Sequence, residues 1–102
     1  MVATVSPAEV LVEVLNGFGG NGAATAAAAA LQSQGFAING TGNANSFEYA
    51  DNVIQYAPGN LSGAYTLEAY VTGTTQIVES LDVPAGEVQL VLGSTYDGIA
   101  EN

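Results

Sequence analysis

Val10-Leu11-Val12-Glu13-Val14-Leu15-Asn16-Gly17-Phe18-Gly19-Gly20-Asn21-Gly22 leads directly into Ala23 to Gln34 and then Gly35-Phe36-Ala37-Ile38, and this stretch decides the fold. Val10, Val12 and Val14 stand at every second position with Glu13 as the polar interruption on the opposite face, which predicts a central strand. Asn16 to Gly22 makes a glycine-rich turn. Ala23 to Gln34 is an alanine-dominated helix, with Asn21 placed to cap its start and Gly35 in the position after its end. Ala23, Ala27 and Ala30 carry only methyl groups, so one helix face can approach a sheet closely, with Leu31 as the larger anchor. Phe36-Ala37-Ile38 resumes the strand pattern and completes a βαβ unit, whose crossover is expected to be right-handed.

Outward from this unit, Asn39 to Ser46 is rich in Gly, Asn and Thr and predicts a loop. Asn52 to Tyr56 predicts a third strand closed by Pro58-Gly59. Asn60 is placed to cap a second helix from Leu61 to Thr72, with Leu61, Ala64, Leu67 and Val71 as its apolar face and Gly73 as its stop. Gln76 to Val78 predicts a short fourth strand. Glu87 to Leu92 predicts a last one, with Val88, Leu90 and Leu92 inward. The order β-α-β-β-α-β-β implies an α+β two-layer sandwich, ferredoxin-like (split βαβ), with the helices on one face of the sheet. Strand order stays open, because the last strand can lie beside the first. One domain over residues 9–94 is expected, with flexible segments at 1–8 and 95–102.

The chain has 102 residues, ten carboxylates, and no Lys, Arg, His, Cys or Trp. At this size about 64% of the unfolded surface can be buried, enough for one modest core. A net charge of −10 has the wrong sign for nucleic acid, which is held by releasing counterions from phosphates, and it disfavours anionic lipid head groups. A neutral ligand or a basic protein fits better. The missing Cys and His remove disulfides, thiolate metal sites, the commonest transition-metal ligand and the commonest general base. No apolar run reaches the ~20 residues of a membrane span. Met1 to Pro7 lacks the features of a signal peptide, so any export or anchor signal is expected outside these residues.

Gly17-Phe18-Gly19-Gly20-Asn21-Gly22 matches G-x-G-x-x-G between a strand and a helix, the setting of a dinucleotide fingerprint. The glycines would let the backbone approach a pyrophosphate at the positive end of the helix. Against this, Asn39, Thr41 and Asn43 stand where an acidic ribose ligand is needed, and a doubly wound domain needs more alternating units. A tight strand-to-helix turn uses the same glycines without any ligand, and a small anion or a glycan at the turn is the remaining reading.

The ordered series Leu15-Asn16-Gly17-Phe18-Gly19-Gly20-Asn21-Gly22-Ala23, Leu31…Gly35-Phe36, Gly42-Asn43-Ala44, Val53-Ile54-Gln55-Tyr56 and Val91-Leu92-Gly93-Ser94 resembles the LytR C-terminal domain family. It departs from that pattern where Phe18 replaces a small residue and Thr95 an acidic one. The resemblance implies a non-catalytic extracytoplasmic accessory domain of LytR-CpsA-Psr-related envelope proteins, whose membrane anchor lies elsewhere in the parent protein. The expected partner is cell-wall glycan or an envelope protein, with no nucleic acid, no cofactor and no metal. The candidate binding residues are Asn16, Gly17, Phe18, Gly19, Gly20, Asn21, Gly22 and Tyr56.

Other chemistry is poorly supplied. Glu48 and Asp51 form the closest carboxylate pair, and solvated acids near a strand start account for them. Asp51, Glu79, Asp82 and Asp97 lack the spacing of a calcium loop. Ser6, Ser33, Ser46, Ser62, Ser80 and Ser94 have no His or Lys to activate them, so no catalytic residue is expected. Phe47, Tyr49, Tyr56, Tyr65 and Tyr70 suit carbohydrate or protein contact, and equally the edge of a core. The alternatives to an envelope-binding module are a dinucleotide- or anion-binding fragment and an oligomerisation domain that pairs copies through a sheet face or edge.

Overall fold

The computed structural model describes residues 6–20, 22–44 and 46–99. Asn21, expected to cap the first helix, Asn45 of the expected loop, and residues 1–5 and 100–102 of the expected flexible segments lie outside the described residues. After a short 3-10 turn at Pro7–Glu9, the elements are β1 (Leu11–Asn16), α1 (Ala23–Ser33), β2 (Ala37–Asn43), β3 (Asn52–Tyr56), α2 (Leu61–Glu68), β4 (Thr75–Glu79) and β5 (Glu87–Leu92). This is the expected β-α-β-β-α-β-β order, folded as an α+β two-layer, ferredoxin-like sandwich.

The five-stranded sheet has the order β2-β1-β5-β3-β4. β1 runs parallel to both β2 and β5, β3 runs parallel to β4, and β3 is antiparallel to β5. Each crossover therefore joins neighbouring strands, and the last strand lies beside the first and separates the two βαβ units. Within the sheet plane the second unit is the first turned half-way round, which keeps both helices on one face. Val12, Val14, Ile54, Val88, Leu90 and Leu92 line that face and pack in one cluster with Ala24, Ala27, Ala28 and Leu31 of α1 and Ala64 and Leu67 of α2.

Four expectations need correction. β2 extends through Asn43, where a loop was expected from Asn39, because its backbone pairs with β1 up to Asn16↔Asn43 and the ladder needs no apolar side chains. Asn39 is an extra residue there, since Ile38 pairs with Val12 and Gly40 with Glu13. The close face of α1 is Ala24, Ala27, Ala28 and Leu31 rather than Ala23, Ala27 and Ala30. α2 stops at Glu68, not Thr72: Tyr70 and Val71 donate to Leu67 and Glu68 carbonyls in tighter turns, and Val71 pairs with Ile99. Asn60 stands at the cap of α2 but makes no side-chain cap, because its Nδ2 donates to the Glu87 carbonyl at 3.2 Å and ties the helix start to β5.

The end of α1 follows its expected design. Gly35 N–H donates to Gln32 O at 3.0 Å and Phe36 N–H to Leu31 O at 3.1 Å, the paired bonds that close a helix through a glycine. Phe36 then meets Tyr70 edge-on, with ring centroids 5.0 Å apart, so the segments that follow the two helices touch. Residues 95–99 are bonded into the fold: Thr95 N–H donates to Ala50 O and Thr72 N–H to Gly98 O, and Tyr96 and Ile99 pack against the core.

Candidate functional site

The turn after β1 is organised from within by Asn16, whose residue is 8% exposed. Its Oδ1 accepts the N–H groups of Phe18 at 3.1 Å and Gly19 at 3.0 Å, while its Nδ2 donates to Gly20 O at 2.6 Å. An asparagine can do this because one short side chain carries both an acceptor and a donor. The consequence is chemical: two amides that a phosphate-cradling loop would point at its ligand are already used. The main chain of Gly17 is likewise committed, donating to Leu92 O at 2.9 Å and accepting from Tyr49 N–H at 3.0 Å.

The glycines have two different causes. Gly19 and Gly22 adopt φ of +82° and +73°, a backbone region that side chains disfavour, and Gly22 stands at the cap of α1. Gly17 and Gly20 are required by space. A Cβ on Gly17 would fall 2.7 Å from Leu92 O and Val91 Cγ1 and 2.9 Å from Tyr49 Cδ1, and one on Gly20 would fall 2.6 Å from Phe18 Cε2. Phe18, the departure noted in the sequence, thus lays its ring on Gly20 and packs against the core. Tyr49 and Val91 close over Gly17 on the other side.

Of the candidate residues, Asn16 and Gly22 line a crevice of about 160 Å³ between the start of α1 and the end of β2, where Thr41 and Asn43 complete it. Useful ligand pockets run from ~300 Å³ upward, so this crevice is small for a nucleotide. Tyr56 is not brought to the turn. It pairs with Val88, which pairs with Val12, whereas the turn follows Asn16 at the level of Leu92. Its ring packs against the helix-side core.

A larger cavity of about 300 Å³ lies on the sheet face that the helices leave open. Leu15 of β1, Gln55 of β3, and Gln89 and Val91 of β5 contribute to it from the sheet. Asn43 at the end of β2, Ala44 and Tyr49 beyond it, and Ser80 and Asp82 from the segment after β4 border it. Gln89 Nε2 donates to Glu13 Oε1 at 2.9 Å, which fixes the amide and leaves its oxygen as an acceptor. The Ser80–Asp82 turn is held by Ser80 N–H on Tyr56 O at 2.9 Å and Asp82 N–H on Ser80 Oγ at 3.2 Å. Sequence reasoning missed this cavity because its residues come from five separated segments; the alternation of Leu15, Gln89 and Val91 away from the core was the available signal.

In a chain without cations, amides take the place of bases. Asn39 donates to Glu87 at 2.6 Å and Gln76 to Asp51 at 2.8 Å, alongside the Gln89–Glu13 bond. Of the two acids Glu48 and Asp51, read from the sequence as solvated, Asp51 accepts from Gln76 Nε2 and Glu48 is exposed. No group of three acids that could hold a metal occurs among the described residues. No helix among them is long and apolar enough to cross a membrane.

A comparison with curated proteins finds no match. Among solved structures, the chain is similar to the soluble domain of a conserved hypothetical secreted protein, an Rv2700 ortholog, from Mycobacterium marinum. The two are 25% identical with a TM-score of 0.83, over 99% of this chain and 70% of that one. Residues 9–96 match the family model described as LytR cell envelope-related transcriptional attenuator, and the chain belongs to this LytR C-terminal domain family.

Proposed function

We propose that this domain is a non-catalytic accessory module of an extracytoplasmic, membrane-anchored envelope protein, and that it works by binding or positioning cell-wall glycan or a partner protein. The observation that carries the reading is the family match over residues 9–96. The likeness to a domain of a secreted protein supports the location. The lack of Lys, Arg, His and Cys supports a non-catalytic role, since no imidazole or amine remains to activate a serine and no thiolate can form. Within this reading the independently folding unit is residues 9–94, extended by the packed segment to Ile99. The Asn16–Gly22 turn contributes shape through its crevice, and Tyr56 serves the core.

The test is a titration of the isotope-labelled domain with soluble peptidoglycan fragments and, separately, with purified ectodomains of envelope proteins. Saturable changes in backbone amide spectra with one of these are expected. Unchanged spectra with all of them overturn the proposal. A thermal shift with NAD or FAD would instead favour the dinucleotide reading, which the internal use of the Phe18 and Gly19 amides opposes.

A further inference from the structure

The cavity on the open sheet face lies outside the glycine turn, and its lining has a definite chemistry. Its sheet residues are two amides, Gln55 and Gln89, set against two apolar side chains, Leu15 and Val91. Gln55 and Gln89 are direct cross-strand partners, so their side chains emerge next to each other on one face. Ser80 adds a hydroxyl and Asp82 a carboxylate, while Tyr49 supplies an aromatic ring. Amides and hydroxyls both donate and accept, and a carboxylate only accepts. A ligand matched to this set carries many hydroxyls or amides that can serve either way, on a body with some apolar surface.

Charge and size narrow the class. No cation exists anywhere in the chain, and Asp82 accepts no side-chain hydrogen bond among the described residues, so an anionic ligand would meet repulsion without a partner. A volume of about 300 Å³ is at the lower end of ligand pockets, suited to one ring rather than an extended cofactor. The rigid floor of paired strands also sets the polar groups before any ligand arrives, which lowers the ordering cost of binding.

We infer that this open-face cavity, formed by Leu15, Gln55, Gln89 and Val91 with Tyr49 and Asp82 at its borders, is a binding site for a single neutral sugar ring. The inference deepens the envelope-binding proposal and rests on it for the source of the sugar. In this arrangement Asp82 and the Gln89 oxygen accept hydroxyl protons, Gln55 donates or accepts, and Leu15 and the Tyr49 ring meet the sugar's C–H face, with Val91 buried beneath them as part of the floor.

The experiment uses the whole labelled chain, titrated with diacetylchitobiose, maltose, glucuronate and a tetralysine peptide while backbone amides are followed by NMR. Diacetylchitobiose or maltose should shift Leu15, Gln55, Gln89 and Val91 saturably, and glucuronate should bind more weakly. Asp82→Ala and Gln55→Ala should each weaken the neutral sugar about fivefold, the effect of losing one hydrogen bond. Tyr65→Ala, on the helix layer, should leave binding unchanged. Failure of both neutral sugars to shift the four residues overturns the inference, as does a groove response confined to glucuronate or tetralysine. If the sugars fail while peptidoglycan fragments still bind, the site is wrong and the envelope-binding proposal stands. If the sugars bind here while peptidoglycan fragments and ectodomains all fail, the site stands and that proposal falls.

Discussion

The two faces of this sheet are made by alternate residues of the same strands, yet they are different materials. On the helix side, Val12, Val14, Val88, Leu90 and Leu92 are fully buried, and so is the polar Asn52, which has both ends of its amide bonded. On the open side, Leu11, Glu13, Leu15, Gln55 and Gln89 are half-buried, Val91 alone of these alternating positions is buried, and Gln89 bonds to Glu13 along the surface. The strand backbone treats both faces alike. What separates them is that two crossovers of the same hand, one turned half-way round in the plane of the sheet, put both helices on one side. Stability is concentrated on the covered face, which leaves the other free to carry polar side chains for contact.

Substitutions should divide along the same line. Leu90→Ala, in the middle strand and 0% exposed, is expected to cost about 2–5 kcal/mol by lost burial and a residual cavity, read from urea denaturation; a cost under ~1 kcal/mol would contradict the packed face. Asn52→Ala comes next. It removes the Oδ1 that accepts Gly93 N–H at 2.9 Å and the Nδ2 that donates to Thr72 O at 3.2 Å, and a buried N–H left without a partner costs about 1–3 kcal/mol. The same denaturation curves, compared with those of Asn52→Asp, show whether the donor or the acceptor matters more.

Gln89→Leu changes the open face at the same strand, next to Leu90. It removes the bond to Glu13 in a half-exposed place, so its effect on stability should stay within about 1 kcal/mol while sugar binding is lost. If it destabilised as much as Leu90→Ala, the two faces would not be distinct. The smallest effect is confined to alkaline pH. Burial raises the Tyr96 pKa above the usual 10.0, because the phenolate is poorly solvated against the core. The folded state therefore holds this proton more tightly than the unfolded chain, and the stability it contributes is complete below pH 10.0 and lost as pH rises toward the folded value. Tyr96→Phe should flatten the alkaline limb of a pH–stability profile and leave the neutral region unchanged.

Much of the fold was legible because it is written in short-range alternation. Val12, Val14, Val88, Leu90 and Leu92 announce a covered face by period two, and β3 and β5 have the bounds their residues suggest. β2 was hidden because an edge strand held by backbone bonds can be built from Gly, Asn and Thr, which read as loop. The end of α2 was hidden because Tyr70 and Val71 keep the apolar spacing of a helix, while a bridge to Ile99 draws the chain out of it. The glycine motif was legible as a turn, but its spacing is shared by loops that bind phosphate. The missing acidic residue near Asn39 to Asn43 already weighed against phosphate, and the placement of Asn16 Oδ1 against the Phe18 and Gly19 amides adds the structural ground.

By itself the sequence determined a composition without Lys, Arg, His or Cys, and its charge of −10 opposes the holding of phosphate chains. It also determined the order of elements, through local periodicity. The tertiary structure decided which strand lies between the two βαβ units, which face stays open, and which residues meet there. Those depend on pairings such as Leu15 with Val91 and Gln55 with Gln89, whose separations along the chain leave no periodic trace.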